Sequence, residues 1–237
     1  MERCVAALLD LVLPRRCPGC EAWLPLGHGH ALCPTCQATL LMPVDTLCDR
    51  CGIPLLSGSY TCSPCMARPP AYDTARALGL YLAEQDFLNP LARAVRALKY
   101  HGHRAVARSL GAALADLLPI PEDAVVVPVP LHVTRLRARG YDQSVLLARA
   151  LARTRRLRLI VRALVRHRAT ATQANLDAAA RRANVRDAFT VTAAVDGATV
   201  VLVDDVLTTG ATADSCARAL RGAHAAHVLV LTVGRTP

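Results

Sequence analysis

The sequence lacks an apolar run long enough to cross a bilayer, and its first residues lack the pattern of an export signal. Glu2, Arg3 and Asp10 interrupt that pattern with charge. We therefore expect a cytoplasmic protein with no membrane insertion. Because disulfides are rare in that reducing compartment, the ten cysteines are expected to be free of disulfides and mostly bound to metal. Lysine is also nearly absent, since Lys99 stands alone beside 27 arginines.

Acidic residues are scarce in one part of the chain. The net charge is +10, yet residues 1–70 are neutral, so the whole excess lies in residues 71–237. Between Arg135 and Arg186 there are fourteen arginines and only two acidic residues, Asp142 and Asp177. Such a positive field favours a polyanionic ligand, although a solvated helix face over residues 149–158 is an equally good interpretation of its middle part.

Eight of the ten cysteines form four Cys-x-x-Cys pairs, separated by twelve, eleven and ten residues. This spacing is typical of two zinc ribbons, in which each pair gives two thiolates to a tetrahedral Zn²⁺. Consecutive pairs could share an ion, or alternate pairs could do so in a cross-braced arrangement. Closed sites of four thiolates are structural, so two structural Zn²⁺ ions are predicted. The predicted ligands are Cys17, Cys20, Cys33, Cys36, Cys48, Cys51, Cys62 and Cys65.

The rest of the chain alternates apolar runs of strand length with helical patterns. This alternation predicts an α/β fold, a doubly wound and mostly parallel sheet, as residues 71–237. Residues 1–70 are predicted to form an N-terminal helix and the double zinc-ribbon module. An arginine-rich loop is predicted over 135–141, and the polar residues 166–187 could close over a ligand. Strands are predicted at 77–81, 125–127, 159–164, 198–203 and 228–233, and helices at 88–98, 104–118, 143–153 and 212–221.

The strand ending at residue 203 is followed by two carboxylates, Asp204 and Asp205. In open α/β sheets, ligands bind beyond the carboxyl ends of the strands. The next residues combine hydroxyls, a glycine and the start of a helix, where backbone N–H groups can converge on an anion. The pattern predicts a ribose-phosphate site, and it resembles the 5-phosphoribosyl-1-pyrophosphate (PRPP) motif of type I phosphoribosyltransferases. The turn residues are Thr208, Thr209, Gly210, Ala211 and Thr212.

Several further motifs occur in order along the chain. Together with the zinc ribbons and the acidic strand, they closely resemble the ComF family (ComFC/GntX type) over nearly the whole chain. One departure is mild: where many members read Arg-Gly-Phe-Asn-Gln, this sequence has Tyr141 and Asp142, which keep the ring and the acceptor. The motifs are Leu98-Lys99-Tyr100-His101-Gly102, Pro128-Val129-Pro130-Leu131-His132, Arg139-Gly140-Tyr141-Asp142-Gln143-Ser144, and Thr172-Gln173 with Arg181 and Asn184.

The resemblance implies a type I phosphoribosyltransferase fold that binds PRPP with Mg²⁺. It also implies a link to natural competence and to the handling of imported single-stranded DNA. The acceptor of the phosphoribosyl group is not established by the resemblance. The residues implied to bind PRPP are Asp204 and Asp205 at the ribose hydroxyls, Thr208 to Thr212 at the 5′-phosphate, Arg139, Gly140 and Tyr141 in the pyrophosphate loop, and Arg166 and Arg181 over the pyrophosphate.

Two functions agree with these patterns. The first is a transferase in which Mg²⁺ screens the pyrophosphate, arginines stabilise its departure and a nucleophile adds to the opposite face of the ribose. Its catalytic candidates are Asp204, Asp205, Lys99 and Arg139, although Lys99 could also be an ordinary solvated helix end. The second is a non-catalytic, PRPP-gated adaptor that binds single-stranded DNA, a DNA-import helicase or a recombination mediator. A zinc-ribbon transcription factor is a weaker interpretation, because the cysteine module is neutral.

Overall fold

The computed structural model describes residues 11–40, 46–55, 59–82, 89–167 and 188–237. Its strands are β1 (Thr74–Leu80), β2 (Val125–Pro128), β3 (Arg158–Leu159), β4 (Leu164–Arg166), β5 (Phe189–Val191), β6 (Thr199–Leu207) and β7 (His227–Arg235). Its helices are α1 (Pro34–Ala38), α2 (Ser63–Ala67), α3 (Pro90–Tyr100), α4 (Val106–Leu114), α5 (Val133–Arg139), α6 (Gln143–Arg155) and α7 (Ala211–Gly222). No helix in these ranges is both long and apolar enough to span a bilayer.

The main sheet is parallel throughout, with the strand order β1-β7-β6-β2-β3. Apolar side chains cover both of its faces. Along β6, Val201 and Val203 belong to one apolar cluster, and Val200 and Leu202 belong to the other. Because side chains of a strand alternate between faces, a continuous apolar run serves both sides. Helices α3, α4 and α6 pack on the first face and α7 on the second, which confirms the doubly wound arrangement.

Side-chain caps fix the starts of the two helices next to the predicted site. The side chain of Asn89 accepts a hydrogen bond from the Ala92 N–H at 3.0 Å, and α3 begins at Pro90. At the start of α6, Asp142 Oδ1 accepts from the Ser144 N–H at 2.9 Å. The first cap sets the register of the helix whose last turn carries Lys99, as the sequence predicts.

Two local predictions are wrong. The segment predicted as a loop over 135–141 is largely the helix α5, which begins after His132 and ends at Gly140, where φ is +76°. Its arginine, leucine and alanine residues are good helix formers, and a left-handed glycine commonly ends a helix. The strand predicted over 159–164 is divided by a turn at 161–163. Before the turn β3 pairs with β2, whereas β4 after it pairs with β5 in a separate antiparallel ribbon.

The third cysteine pair covers the edge of the main sheet at β1. The Ala75 N–H donates to Arg50 O at 2.7 Å, and the Thr74 hydroxyl donates to Asp49 O at 2.6 Å. Gly52 has a φ of +65°, and a Cβ atom there would lie 2.5 Å from Ala75 O. Only glycine permits this approach. The second zinc ribbon is therefore held by backbone contacts at an edge that would otherwise be open.

Candidate functional site

The eight predicted zinc ligands form two groups in the described part of the chain. In each group the four Sγ atoms lie within 4.8 Å of one another. The Sγ–Sγ distances of Cys20–Cys33 and Cys51–Cys62 are 3.6 Å. A tetrahedral ion with Zn–S bonds of about 2.3 Å requires roughly 3.8 Å, so these thiols fit Zn²⁺. Consecutive pairs share an ion and the cross-braced alternative is wrong: the groups are Cys17, Cys20, Cys33, Cys36 and Cys48, Cys51, Cys62, Cys65.

The two zinc groups differ in their surroundings. Three cysteines of the first group belong to the large apolar cluster of the α/β domain, together with Leu32 and Leu40. Among the described residues, the second group forms a small apolar cluster of its own with Ile53 and Leu55. Because fewer apolar contacts among the described residues support it, we expect the second ribbon to depend on its metal for stability more than the first does.

A cavity of about 240 Å³ lies at the carboxyl ends of β2 and β6, where ligands bind in open α/β sheets. It is bordered by carboxylates on one side, by arginines on another, and by the turn that precedes α7. Lys99, Arg135, Arg139, Ser144, Arg166, Asp204, Asp205, Thr208, Gly210, Ala211 and Thr212 are among its lining residues.

Asp205 presents one paired and one unpaired oxygen. Its Oδ1 is 3.2 Å from Lys99 Nζ. Its Oδ2 is buried, and no group in the described residues hydrogen-bonds to it. Asp205 is only 6% exposed, so an oxygen without a partner is unfavourable there unless a ligand donates to it. The unpaired oxygen therefore indicates where a hydroxyl or a cation fits.

Lys99 is held by the carboxylates rather than by solvent. Burial acts to lower the pKa of Lys99, but the neighbouring charges of Asp205, Tyr81 and Asp204 outweigh it and leave the pKa raised. The ammonium is therefore charged at neutral pH, and its ion pair fixes the orientation of Asp205. Lys99 at this position is not an ordinary solvated helix end.

Asp204 has hydrogen-bond partners but an unfavourable environment for its charge. Its Oδ1 accepts from Ser144 Oγ at 2.9 Å and from the Asp205 N–H at 2.8 Å. Burial, followed by repulsion from Asp205, raises the pKa of Asp204 to about 7. A carboxyl group with this pKa changes its charge near neutral pH, which is common at ligand sites.

Ser144 and Asp142 belong to the site although neither is among the predicted site residues. Asp142 Oδ2 accepts from the Leu131 N–H at 3.0 Å, which ties the segment after β2 to the start of α6. Burial raises the pKa of Asp142 in spite of its backbone N–H donors. The cap places Ser144 in the first turn of α6, where its hydroxyl reaches Asp204. The Asp-x-Ser spacing at a helix start is the sequence signal for this arrangement.

The turn before α7 is shaped to accept an anion. Gly210 is the N-cap of α7 with a φ of +76°, a conformation that glycine adopts without strain. Thr209 Oγ1 accepts from the Ala211 N–H at 3.4 Å. The first N–H groups of a helix lack partners within the helix and carry partial positive charge. A phosphate at this end of the cavity would therefore meet several donors.

Arginines form the opposite side of the cavity. Arg139 Nη1 donates to Gln143 Oε1 at 2.5 Å, and its guanidinium lies 5.4 Å from the Tyr100 ring centroid. Burial, followed by repulsion from Arg135, lowers the pKa of Arg166. Two guanidinium groups that repel each other favour a bound anion between them. This side suits a ligand with more negative charge than a single phosphate.

The structure brings most, but not all, of the predicted PRPP-binding residues together. Thr209 lines a different cavity, beside the second zinc group. Gly140 ends α5, and the Tyr141 hydroxyl donates to Leu98 O and borders an adjacent cavity. Arg181 lies outside the described residues. Arg135 lines the main cavity and is absent from the predicted set.

Comparisons of sequence identify relatives along most of the chain. Residues 8–66 match the double zinc ribbon domain family. The chain is 32% identical over 235 residues to DNA utilization protein YhgH of Escherichia coli K12, covering 95% of this chain and 99% of that protein. It is 30% identical over 218 residues to Competence protein F of Haemophilus influenzae, covering 87% of this chain and 90% of that protein.

Comparisons of structure give lower similarity. Glutamine PRPP amidotransferase from B. subtilis matches with a TM-score of 0.39 and 23% identity, over 62% of this chain and 27% of that one. Hypoxanthine phosphoribosyl transferase of Trypanosoma cruzi matches with a TM-score of 0.33 and 14% identity, over 53% of this chain and 63% of that one. The assignment rests instead on the sequence relatives and on the two Cys4 groups within the matched zinc ribbon. The chain belongs to the ComF family.

Proposed function

We propose that the protein binds PRPP with Mg²⁺ at the end of β6 and uses it for phosphoribosyl transfer in DNA utilization. The observation that carries this proposal is the carboxylate pair at the end of β6, beside the glycine turn that begins α7, with a buried Asp205 Oδ2 that has no hydrogen-bond partner among the described residues. Ribose hydroxyls are donors of the kind that this oxygen lacks. The names of the relatives, DNA utilization protein and Competence protein F, support the connection with DNA.

Each side of the cavity would contact a different part of PRPP. Asp204 and Asp205 would accept hydrogen bonds from the 2′ and 3′ hydroxyls, and the turn over residues 208–212 would hold the 5′-phosphate. The arginines would then face the pyrophosphate, which carries most of the ligand's negative charge. These are Arg135, Arg139 and Arg166, which line the cavity, and Arg181, whose role stays a prediction.

The donor set also suits the Mg²⁺ that accompanies PRPP. Magnesium prefers oxygen ligands and usually binds through one or two carboxylates together with substrate phosphates. Asp205 Oδ2 is a buried carboxylate oxygen with no other partner among the described residues. When bound, Mg²⁺ neutralises charge on the departing pyrophosphate. The chain itself orients the ribose and presents cations to the leaving group.

Lys99 has a positioning role in this proposal. Its ammonium pairs with Asp205 Oδ1 at 3.2 Å and thereby leaves Oδ2 directed to the ligand. A raised pKa makes proton donation by Lys99 unfavourable at neutral pH. Departure of the pyrophosphate would not require that proton, because the arginines of the cavity would stabilise it as an anion.

Release of pyrophosphate distinguishes the transferase from the adaptor. The zinc-loaded protein would be incubated with PRPP and Mg²⁺ and with a panel of purine bases, pyrimidine bases and single-stranded DNA. A transferase releases pyrophosphate with one class of acceptor and stops doing so in Asp204→Asn. Asp196→Asn is the matched control, because Asp196 is exposed and the two substitutions change the net charge equally. PRPP binding without release for any acceptor would contradict catalysis and support the adaptor.

The affinity for PRPP is expected to rise with pH. The pKa of Asp204 is raised to about 7, and only the ionised carboxyl accepts from both a hydroxyl and Ser144. The competent fraction grows about tenfold between pH 6 and pH 8, so the dissociation constant should fall by about the same factor. Calorimetry at several pH values measures this change. Asp204→Asn, which meets the same ligand with the same titrating phosphates but lacks the titrating carboxyl, should show a much smaller change.

A second candidate function is supported by a basic cavity of about 520 Å³ that adjoins the first. It is lined by Arg104, Arg135, Arg139, Tyr100 and Tyr141. Tyr100 is 69% exposed, and the Arg104 guanidinium lies 4.6 Å from the Tyr141 ring centroid. Arginines beside exposed aromatic rings suit single-stranded DNA, because they neutralise phosphates and stack on bases. This surface favours an adaptor that binds single-stranded DNA next to PRPP.

Tyr100→Ala is expected to weaken binding of single-stranded DNA by about tenfold, because one stacked base contributes about 1–3 kcal/mol. Fluorescence anisotropy with a labelled oligonucleotide, repeated at several salt concentrations, measures both the affinity and its salt dependence. Asp204→Asn should leave DNA binding unchanged, since Asp204 lines only the first cavity of the two. Equal affinity of wild type and Tyr100→Ala would contradict the adaptor surface.

The organisation around these sites is also part of the proposal. Residues 1–70 would be the zinc-ribbon unit and residues 71–237 the phosphoribosyltransferase-like unit, with the boundary before β1. The protein would act in the cytoplasm. A DNA-import helicase and a recombination mediator are the protein partners that the competence connection suggests.

A further inference from the structure

Arg235 contacts both the second zinc group and the turn over residues 208–212. It lies at the end of β7, between β1 and β6, and is only 8% exposed. Its Nη1 donates to Leu207 O at 3.1 Å and to Thr208 O at 2.5 Å. Its Nε donates to Cys51 O at 3.3 Å, and its Nη2 lies 3.9 Å from Cys51 Sγ. One guanidinium group therefore contacts both a zinc ligand and the first residues of the turn.

The contacts with the turn orient the amides that would meet phosphate. A peptide unit is planar and, when trans, its C=O and N–H point in opposite directions. Holding Leu207 O and Thr208 O on one side therefore directs the N–H groups of Thr208 and Thr209 to the other side. A guanidinium can do this because its donors form a rigid fork. Leu207 O also accepts from the Thr236 N–H at 3.0 Å, so the amide whose direction depends on where Arg235 is held is that of Thr209.

The other end of Arg235 is held by a zinc ligand, in a ribbon that also contacts β1. Cys51 lies in the small cluster around the second zinc group, where Ile53 and Leu55 are the apolar neighbours. A cavity of about 450 Å³, which Arg235 also lines, lies between this zinc group and the turn. Loss of the second Zn²⁺ would remove the restraint on the Cys51 thiolate, and so weaken one of the two anchors of the guanidinium, while Arg50 and Gly52 stay in contact with Ala75.

We propose that Arg235 is a positioning residue that makes phosphate binding at the 208–212 turn depend on zinc at the second Cys4 site. The inference rests on the proposed function, because PRPP is the ligand whose 5′-phosphate the turn would hold. The second ribbon would then have a function besides stability. It would set the geometry of the 208–212 turn, to which none of its own thiolates contributes. The first zinc group, which Arg235 does not contact, has no such task.

The test compares PRPP affinity in variants whose zinc content is also measured. Arg235→Met should weaken PRPP binding about tenfold or more by calorimetry while two zinc ions per chain are retained. Arg235→Lys should be impaired as well, because a point charge cannot hold both anchors. Arg76→Met is the matched control: Arg76 donates to Cys48 O and Asp49 O of the same ribbon but makes no contact with the turn. The PRPP affinity of Arg76→Met should stay within about twofold of the wild-type affinity.

Variants that weaken one zinc site test whether PRPP affinity depends on zinc at the second Cys4 site. Cys62→Ser, which weakens the second site, should lower PRPP affinity in wild type but add little in Arg235→Met. Cys20→Ser, which weakens the first site, should leave the affinity unchanged. If Arg235→Met binds PRPP as tightly as wild type, or if Arg76→Met loses as much affinity, the role of Arg235 is overturned. Wild type that binds no PRPP would instead overturn the proposed function.

Discussion

Asp204→Asn is expected to lower PRPP affinity by about 10- to 100-fold while the protein stays folded. The asparagine Oδ1 can still accept from Ser144 and from the Asp205 N–H, so the local structure is preserved. The charged acceptor for a ribose hydroxyl is lost, and hydrogen bonds to charged groups contribute about 1.5–3 kcal/mol each. Calorimetric titration of PRPP with Mg²⁺ measures the change. Asp196→Asn, an exposed site, should bind as wild type does.

The same substitution should stabilise the free protein at neutral pH. Since the pKa of Asp204 is raised to about 7, the folded state holds its proton while the unfolded state has already released it above pH 4. The contribution of Asp204 to stability therefore falls as pH rises from about 4 to 7. Asparagine has no proton to release. The free energy of unfolding of the variant should therefore exceed that of wild type by about 1 kcal/mol or more over that range. Reduced stability together with lost binding would contradict a specific role for Asp204.

Asp205→Asn is expected to behave differently. It leaves Lys99 buried without its charged partner, which is strongly destabilising. Comparing Asp204→Asn with Asp205→Asn therefore distinguishes loss of a ligand contact from loss of structure.

Loss of the second zinc ion is expected to have the largest effect on stability. Structural Zn²⁺ contributes about 10–16 kcal/mol to the folding of small zinc peptides, and the described residues of the second ribbon offer few apolar contacts to replace it. Cys48→Ser should therefore lower the thermal midpoint by about 10 °C or more, measured by calorimetry. The variant should also retain one zinc ion per chain instead of two.

Cys216→Ala is the control for this experiment. Cys216 is fully buried in the apolar cluster on the α7 face and lies in neither zinc group. Removing its sulfur leaves a small cavity, which should lower the midpoint by only a few degrees and leave both zinc ions bound. A Cys48→Ser protein that keeps two zinc ions and the wild-type midpoint would contradict the assignment of the second site.

Local patterns in the sequence are sufficient for part of this structure. The strand, acidic pair and glycine turn around Asp204 and Gly210 are contiguous, so one segment specifies the core of the site. The cysteine pairs likewise specify two ribbons. Which pairs share an ion depends on the path of the chain between them, and only the structure decides it.

The contacts that complete the site join residues far apart in sequence. Ser144 meets Asp204 across 60 positions, and Arg235 meets Cys51 across 184. Such contacts depend on the order of strands in the sheet, which no local pattern encodes. The sequence predicted a loop in place of the helix α5 for another reason. The many arginines of this segment and the prolines before it are also typical of a loop. Its glycine end, Gly140, is the signal that distinguishes the two.

The most direct test of the central claim is calorimetric titration of PRPP with Mg²⁺ into the zinc-loaded wild-type protein. We expect saturable binding of one PRPP per chain, and binding that is about 10- to 100-fold weaker in Asp204→Asn. Absence of saturable binding to the wild type, with both zinc ions present and the protein folded, would contradict the assignment of the β6 cavity as a PRPP site.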